Sequence, residues 1–85
     1  MDSERILREV GNIFRDVLDD DRLVLNRGTT ANDIDEWDSL THVQLVVAIE
    51  KHFKIKFTSN EIQNFKNVGD MCDRILEKVQ QHERR

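Results

Sequence analysis

The chain has no proline and no tyrosine, and its 85 residues include only three glycines, one cysteine and five aromatic side chains. So little proline and glycine leaves it without the punctuation that a β-sandwich or barrel needs at its many tight turns, and helices are expected instead. A single Cys72 excludes an internal disulfide and fits the reducing cytosol. No apolar run approaches the ~20 residues of a membrane span or the h-region of a secretory signal, so a cytoplasmic chain is expected. An excess of positive charge is also missing. Thirteen basic residues against 17 acidic ones leave −4, which opposes binding to a nucleic-acid backbone. A chain of 10.1 kDa that is 38% apolar can enclose one modest core, so residues 1–85 are read as a single domain without room for a large catalytic cleft.

What is present is helical periodicity. Ile6, Val10, Ile13, Phe14 and Val17 recur at the spacing of one helix face behind Asp2 or Ser3 as cap, predicting a helix over 3–18. Val68, Met71, Cys72, Ile75, Leu76 and Val79 do the same behind Asn67, predicting a helix over 68–82. A third stretch runs from Leu40 to Phe53 with Asp38 as its cap. Thr58-Ser59-Asn60-Glu61 reads as a capping box opening a short helix with Ile62 and Phe65. Leu23-Val24-Leu25 and Ile55-Lys56-Phe57 are too isolated to build a sheet. The expected fold is all-α: a four-helix bundle of three longer helices and one short one. Phe14, Phe53, Phe57 and Phe65 are core candidates, as is Cys72 in the role of a small hydrophobe.

Two features exceed a plain bundle. The segment from Asp19 to Asp38 is about 20 residues without periodicity, far beyond the usual 2–8 of a helix–helix connection. It carries seven acids against Arg22 and Arg27, a local −5. The third stretch, moreover, has two apolar faces. Leu45, Val46, Ile49 and Phe53 lie on one side, whereas Leu40, Val43 and Val47 fall nearly opposite. The second stripe is either packed under the loop through Leu25, Ile34 or Trp37, or left open to a partner. Beside it stands Ser39, in the first turn after Asp38, where free backbone N–H groups and a partial positive charge would favour a phosphate on the serine. Trp37 is expected to anchor the loop to the bundle.

The triplet Asp38-Ser39-Leu40, opening the second of four helices after a long loop and followed by Thr41 to Glu50 and Phe53, resembles the acyl carrier protein family over nearly the whole chain. The resemblance implies that the Ser39 hydroxyl accepts 4′-phosphopantetheine from coenzyme A, transferred by a separate Mg²⁺-dependent phosphopantetheinyl transferase. The thiol at the arm's end would then carry acyl groups as thioesters to the enzymes of fatty-acid, polyketide or related biosynthesis. By the same resemblance Asp38 helps the transferase engage the serine, and Leu40, Val43 and Val47 form the stripe that partner enzymes grip. The chain would act as a carrier, monomeric and without catalysis of its own. It departs from the family where Glu36 stands in place of a frequent Gly and where Trp37 replaces a small residue. It departs again along the second helix, where Glu50 is the one acid and the net charge from Ser39 to Phe57 is +2. A specialised carrier is expected, whose partners use the apolar stripe and the acidic loop, Asp33 and Asp35 in particular.

The alternatives are an unmodified helical adaptor that binds a partner helix through the same stripe, and a peptidyl or D-alanyl carrier. Hydrolysis by Asp38, Ser39 and His42 lacks an oxyanion hole and an acid placed behind the imidazole. His42, His52 and His82 are read as solvated surface residues. A calcium loop from Asp33 lacks the central Gly and has Gln44, not Glu, at its twelfth position, so no metal is expected.

Overall fold

The structure is a computed structural model that describes residues 2–83. Helix α1 spans Ser3–Val17, α2 Ser39–Phe53, α3 Ser59–Gln63 and α4 Val68–Glu83. The all-α arrangement with one short helix is as expected, within one residue at the ends of the three longer helices; the short helix stops at Gln63, so Phe65 lies beyond it, and a 3₁₀ turn at Ala31–Asp33 is added inside the long loop.

Each helix starts on a polar side chain. The Asp2 carboxylate accepts from the Arg5 N–H at 2.8 Å, and Thr58 and Glu61 close the reciprocal capping box that opens α3. Asn67 accepts from the Asp70 N–H at 2.8 Å at the head of α4. Helices α1 and α2 each end on a left-handed residue that is not glycine. Asp19 has φ 53° and Lys54 φ 59°. In each case the next N–H reaches back to a carbonyl of the last turn, Asp20 to Arg15 at 3.0 Å and Ile55 to Glu50 at 3.1 Å, so the stranded carbonyls are satisfied.

Helix α1 is the keel of the bundle. Its fully buried Ile6, Val10 and Phe14 pack against α2 on one side and α4 on the other, whereas α2 and α4 touch one another little. Leu45, Val46, Ile49 and Phe53 from α2 and Val68, Met71, Cys72, Ile75 and Val79 from α4 complete the core. Phe65 is only half-buried; it lies two residues past the end of α3 and packs edge-on to Phe57 at 5.2 Å from the bundle's margin.

The 19–38 segment is irregular yet firmly tied. Its Thr29 and Arg27 carbonyls accept the Val68 and Gly69 N–H groups at 2.9 and 2.8 Å, filling donors that the first turn of α4 would otherwise leave open. Arg27 grips Asp73 with one nitrogen at 2.8 and 2.9 Å from the two carboxylate oxygens, and Arg15 donates to the Leu23 carbonyl at 2.8 Å. Ile34 and Trp37 are buried, and Trp37 meets Phe14 edge-on at 4.9 Å. Trp37 is therefore an anchor, as expected. The two loop residues enter the core and do not cover the outer stripe of α2.

Candidate functional site

Ser39 is the first residue of α2 and is exposed. It projects from a helix tip built by its neighbours. The Asp38 Oδ1 accepts from the Leu40 N–H at 3.0 Å and from the Thr41 N–H at 2.9 Å. Thr41 answers by accepting the Asp38 N–H at 2.8 Å, while its own hydroxyl donates to the Glu36 carbonyl at 2.8 Å. The Thr41 N–H, with the Leu40 N–H beside it, holds the Asp38 carboxyl below its ordinary range, so the cap is an anion at neutral pH.

This corrects one expectation. Two of the N–H groups read as a cradle for a phosphate on Ser39 are already taken by the Asp38 carboxylate. A phosphate on Ser39 would stand beside that negative charge and would be held by its ester bond, not clasped by the helix tip.

Below the tip, His42 is fixed on both sides. Trp37 Nε1–H donates to its Nδ1 at 3.0 Å, and its Nε2 lies 2.9 Å from the Ile62 carbonyl. Those partners assign the neutral tautomer with the proton on Nε2. The half-buried imidazole thus joins loop, α2 and the end of α3, and it is not the solvated residue expected. With both nitrogens engaged, it is not free to accept a proton from Ser39. His52 is exposed but pairs with Glu9 of α1 at 2.7 Å, and that bond holds the Glu9 carboxyl below its usual range. The His82 side chain lies outside the described residues.

The outer stripe is open. Leu40 is 69% exposed, Val43 56% and Val47 42%, at intervals of one helical turn that lead away from Ser39. Asp33 and Asp35 are exposed on the loop before the tip, but they differ in what they are free to do. The Asp33 carboxylate accepts from the Thr30 N–H at 2.9 Å and caps the 3₁₀ turn. Cys72 is fully buried, and burial pushes its thiol up to about 11, which makes it a core atom and not a working nucleophile. Among the described residues no three His, Cys, Asp or Glu side chains converge where a metal ion could sit.

A family model described as a phosphopantetheine attachment site matches residues 8–75. The chain belongs to this family of acyl carrier proteins. A relative from Thermosynechococcus vestitus, named acyl carrier protein, is 34% identical over 80 residues, covering 93% of this chain and 98% of its own length. Another of that name, from Coprothermobacter proteolyticus, is 30% identical over 74 residues, covering 86% and 89%. Among solved structures, the holo acyl carrier protein of Geobacter metallireducens superposes with a TM-score of 0.88 at 49% identity over 93% of this chain and 91% of that one. The acyl carrier protein of Thermotoga maritima shares the fold, with a TM-score of 0.84 at 20% identity over 95% and 94% of the two chains. The prosthetic group of the family is phosphopantetheine. Ser39 at the head of α2 is compatible with it, since it has solvent above it and a braced tip beneath.

The sequence pointed to Asp38, Ser39 and Leu40, which the structure brings together at one tip. It missed Thr41, which reciprocates the cap, and His42, which pins the tip to α3. A hydroxyl three residues after the capping Asp was the available signal for Thr41. No local signal could have found His42, because its partners are a tryptophan and a distant carbonyl.

Proposed function

We propose that the carrier receives 4′-phosphopantetheine on the Ser39 hydroxyl from coenzyme A, by the action of a separate phosphopantetheinyl transferase. When bound, the group supplies a terminal thiol on a flexible arm, which holds acyl cargo as a thioester. The observation that carries this reading is the exposure of Ser39 at the head of α2 together with the open stripe of Leu40, Val43 and Val47 beside it. A solvent-facing apolar row on a helix whose opposite side is fully packed has no role in folding, and it suits enzymes that must find the arm's base.

In this reading Asp38 keeps the helix start rigid while the serine is modified, and Asp35 and Asp33 present negative charge to the partner. The chain does no chemistry itself. It works as a monomer and single domain over residues 1–85 in the cytoplasm. Among the described residues no helix is long and apolar enough to cross a membrane. Loading and transfer enzymes of fatty-acid, polyketide or related biosynthesis are its partners.

The test is intact mass after incubation with coenzyme A and a broad-specificity transferase. The wild type should gain one phosphopantetheine and Ser39→Ala should gain none, with unchanged circular dichroism. A wild type that stays unmodified would replace this reading with the unmodified adaptor. Native protein captured with an aminoacyl thioester would make it a peptidyl or D-alanyl carrier.

A further inference from the structure

Because α1 packs against both α2 and α4 while these two scarcely meet, the bundle is open on the side away from α1. The opening is a groove of about 910 Å³ lined by Val47, Glu50, Lys51, Lys54, Ile55, Lys56, Lys78 and Gln81. Its charge is one-sided. Lys51, Lys54 and Lys56 are exposed, and they come from the end of α2 and the chain just after it. Lys78 enters from α4, where it is partly held by Glu61 at 3.0 Å. The one acid among the lining residues, Glu50, is occupied by the Phe57 N–H at 2.8 Å. In a chain of net charge −4 whose long loop carries −5, this concentration of lysine is a local reversal of sign.

The groove is also continuous with the open stripe, since Val47 belongs to both. Helix α2 therefore offers a partner an acidic loop and Ser39 at its head, an apolar row along its side, and about 18 Å further on, at 1.5 Å per residue from Ser39 to Lys51, a basic trough.

We propose that this trough seats an acidic segment of a partner enzyme, an extended or helical stretch bearing Asp and Glu side chains over an apolar residue. The proposal rests on the carrier reading and adds the charge and the place of the second contact. Complementary charge favours carboxylates, and the groove is lined by lysines from three chain segments together with the apolar Val47 and Ile55, so an acidic segment with an apolar residue suits it. An anionic membrane is disfavoured by the chain's net charge of −4. A partner holding both contacts would have basic groups facing the loop and acidic groups facing the trough, which fixes one direction of docking along α2.

The experiment uses isotope-labelled holo protein and a fluorescent synthetic helix bearing a Glu/Asp stripe beside a Leu row. Controls are the same peptide with Gln and Asn replacing the acids, and vesicles of anionic phospholipid. The acidic peptide should shift the amides of residues 47–56 and 78–81. Its affinity should fall about tenfold in Lys51→Glu/Lys56→Glu, and fall again with added salt. Both lysines are exposed, so the variant should keep its helical spectrum and still accept phosphopantetheine on Ser39. That keeps failure of the trough separate from failure of the carrier reading. Equal binding of the neutral peptide, an affinity unmoved by the double reversal, or capture by vesicles in preference to the peptide would each overturn the proposal.

Discussion

Gly69 lies in the first turn of α4, and helix propensity alone recommends replacing it, because Ala is favoured over Gly in a helix by up to about 1 kcal/mol. The structure reverses the sign. A Cβ on Gly69 would stand 2.9 Å from the Arg27 carbonyl oxygen and 3.2 Å from the Arg27 Cβ. The same carbonyl accepts the Gly69 N–H at 2.8 Å, and two residues on the Thr29 carbonyl accepts the Val68 N–H at 2.9 Å. The obstacle is therefore backbone, held in place by the bonds that fasten the long loop. Relief requires the loop to move off, which strains the contact by about 1–3 kcal/mol and weakens one or two hydrogen bonds worth roughly 1 kcal/mol each. Set against the propensity gain, Gly69→Ala should destabilise the protein by about 2 kcal/mol, a fall of roughly 8–16 °C in Tm for a domain of this size. Gly11→Ala is the control. Its Cβ would meet only the Arg15 guanidinium, at 3.5 Å, in the middle of α1, so it should stabilise by about 0.5–1 kcal/mol. Thermal and urea unfolding followed by circular dichroism measure both. A Gly69→Ala protein as stable as wild type would show that the loop is not docked on α4 as described.

The two faces of α2 should separate stability from recognition. Leu45→Ala, at a fully buried position, should cost about 2–5 kcal/mol in urea unfolding. Val43→Ala, at a residue 56% exposed, should stay within about 0.5 kcal/mol of wild type yet slow modification by the transferase. Cys72, fully buried with its thiol pushed up to about 11, should resist a thiol reagent at mildly alkaline pH and react at once in denaturing urea; prompt reaction of the native protein would contradict the packing of α4. Stability should also fall in acid. The Thr41 N–H holds down Asp38, the Thr58 N–H holds down Glu61, and His52 holds down Glu9, so each binds its proton less readily folded than unfolded. Their stabilisation is complete above the ordinary carboxylate values near about 4 and is lost as pH drops through the lower folded values. Asp38→Asn, which keeps an acceptor at the cap without the titration, should flatten that decline; an unchanged acid profile would remove Asp38 from it.

The elements readable in the sequence were those set by near neighbours. The apolar spacing of α1 and α4, the Asp38 cap and the Thr58–Glu61 box all act within four residues, so local chemistry sufficed. The left-handed ends at Asp19 and Lys54 were not readable, because glycine is the usual signal and neither position has it. At Lys54 the following Ile55 is drawn into the core and its burial offsets the strain, whereas at Asp19 the following N–H bonds back to the Arg15 carbonyl. The destination of the loop's apolar residues was equally hidden. Ile34 and Trp37 could have lain on the outer stripe, and only the gap left between helices that both lean on α1 decides that they fill the core. At the site, the row Leu40, Val43 and Val47 was visible as a periodicity, but the competition between Asp38 and a phosphate for the same N–H groups was not. It depends on where one carboxylate oxygen points.

That competition gives the tip its character. A phosphate clasped by the first turn of α2 would hold the arm against the protein, whereas a cap already filled by an anion would push a phosphate on Ser39 outward. Beneath Ser39 the structure is braced by Thr41 on the Glu36 carbonyl and by His42 between Trp37 and Ile62, so a phosphate ester on Ser39 would stand on a rigid base with the arm beyond it free. The irregular loop is what makes the base rigid. It delivers Trp37 to the ring of Phe14 and the Glu36 carbonyl to Thr41, and its own backbone is secured on α4 through Arg27 and Thr29. A shorter connection could join α1 to α2, but it could not reach both the head of α2 and the head of α4. The length of the segment follows from having to brace those two helix ends at once.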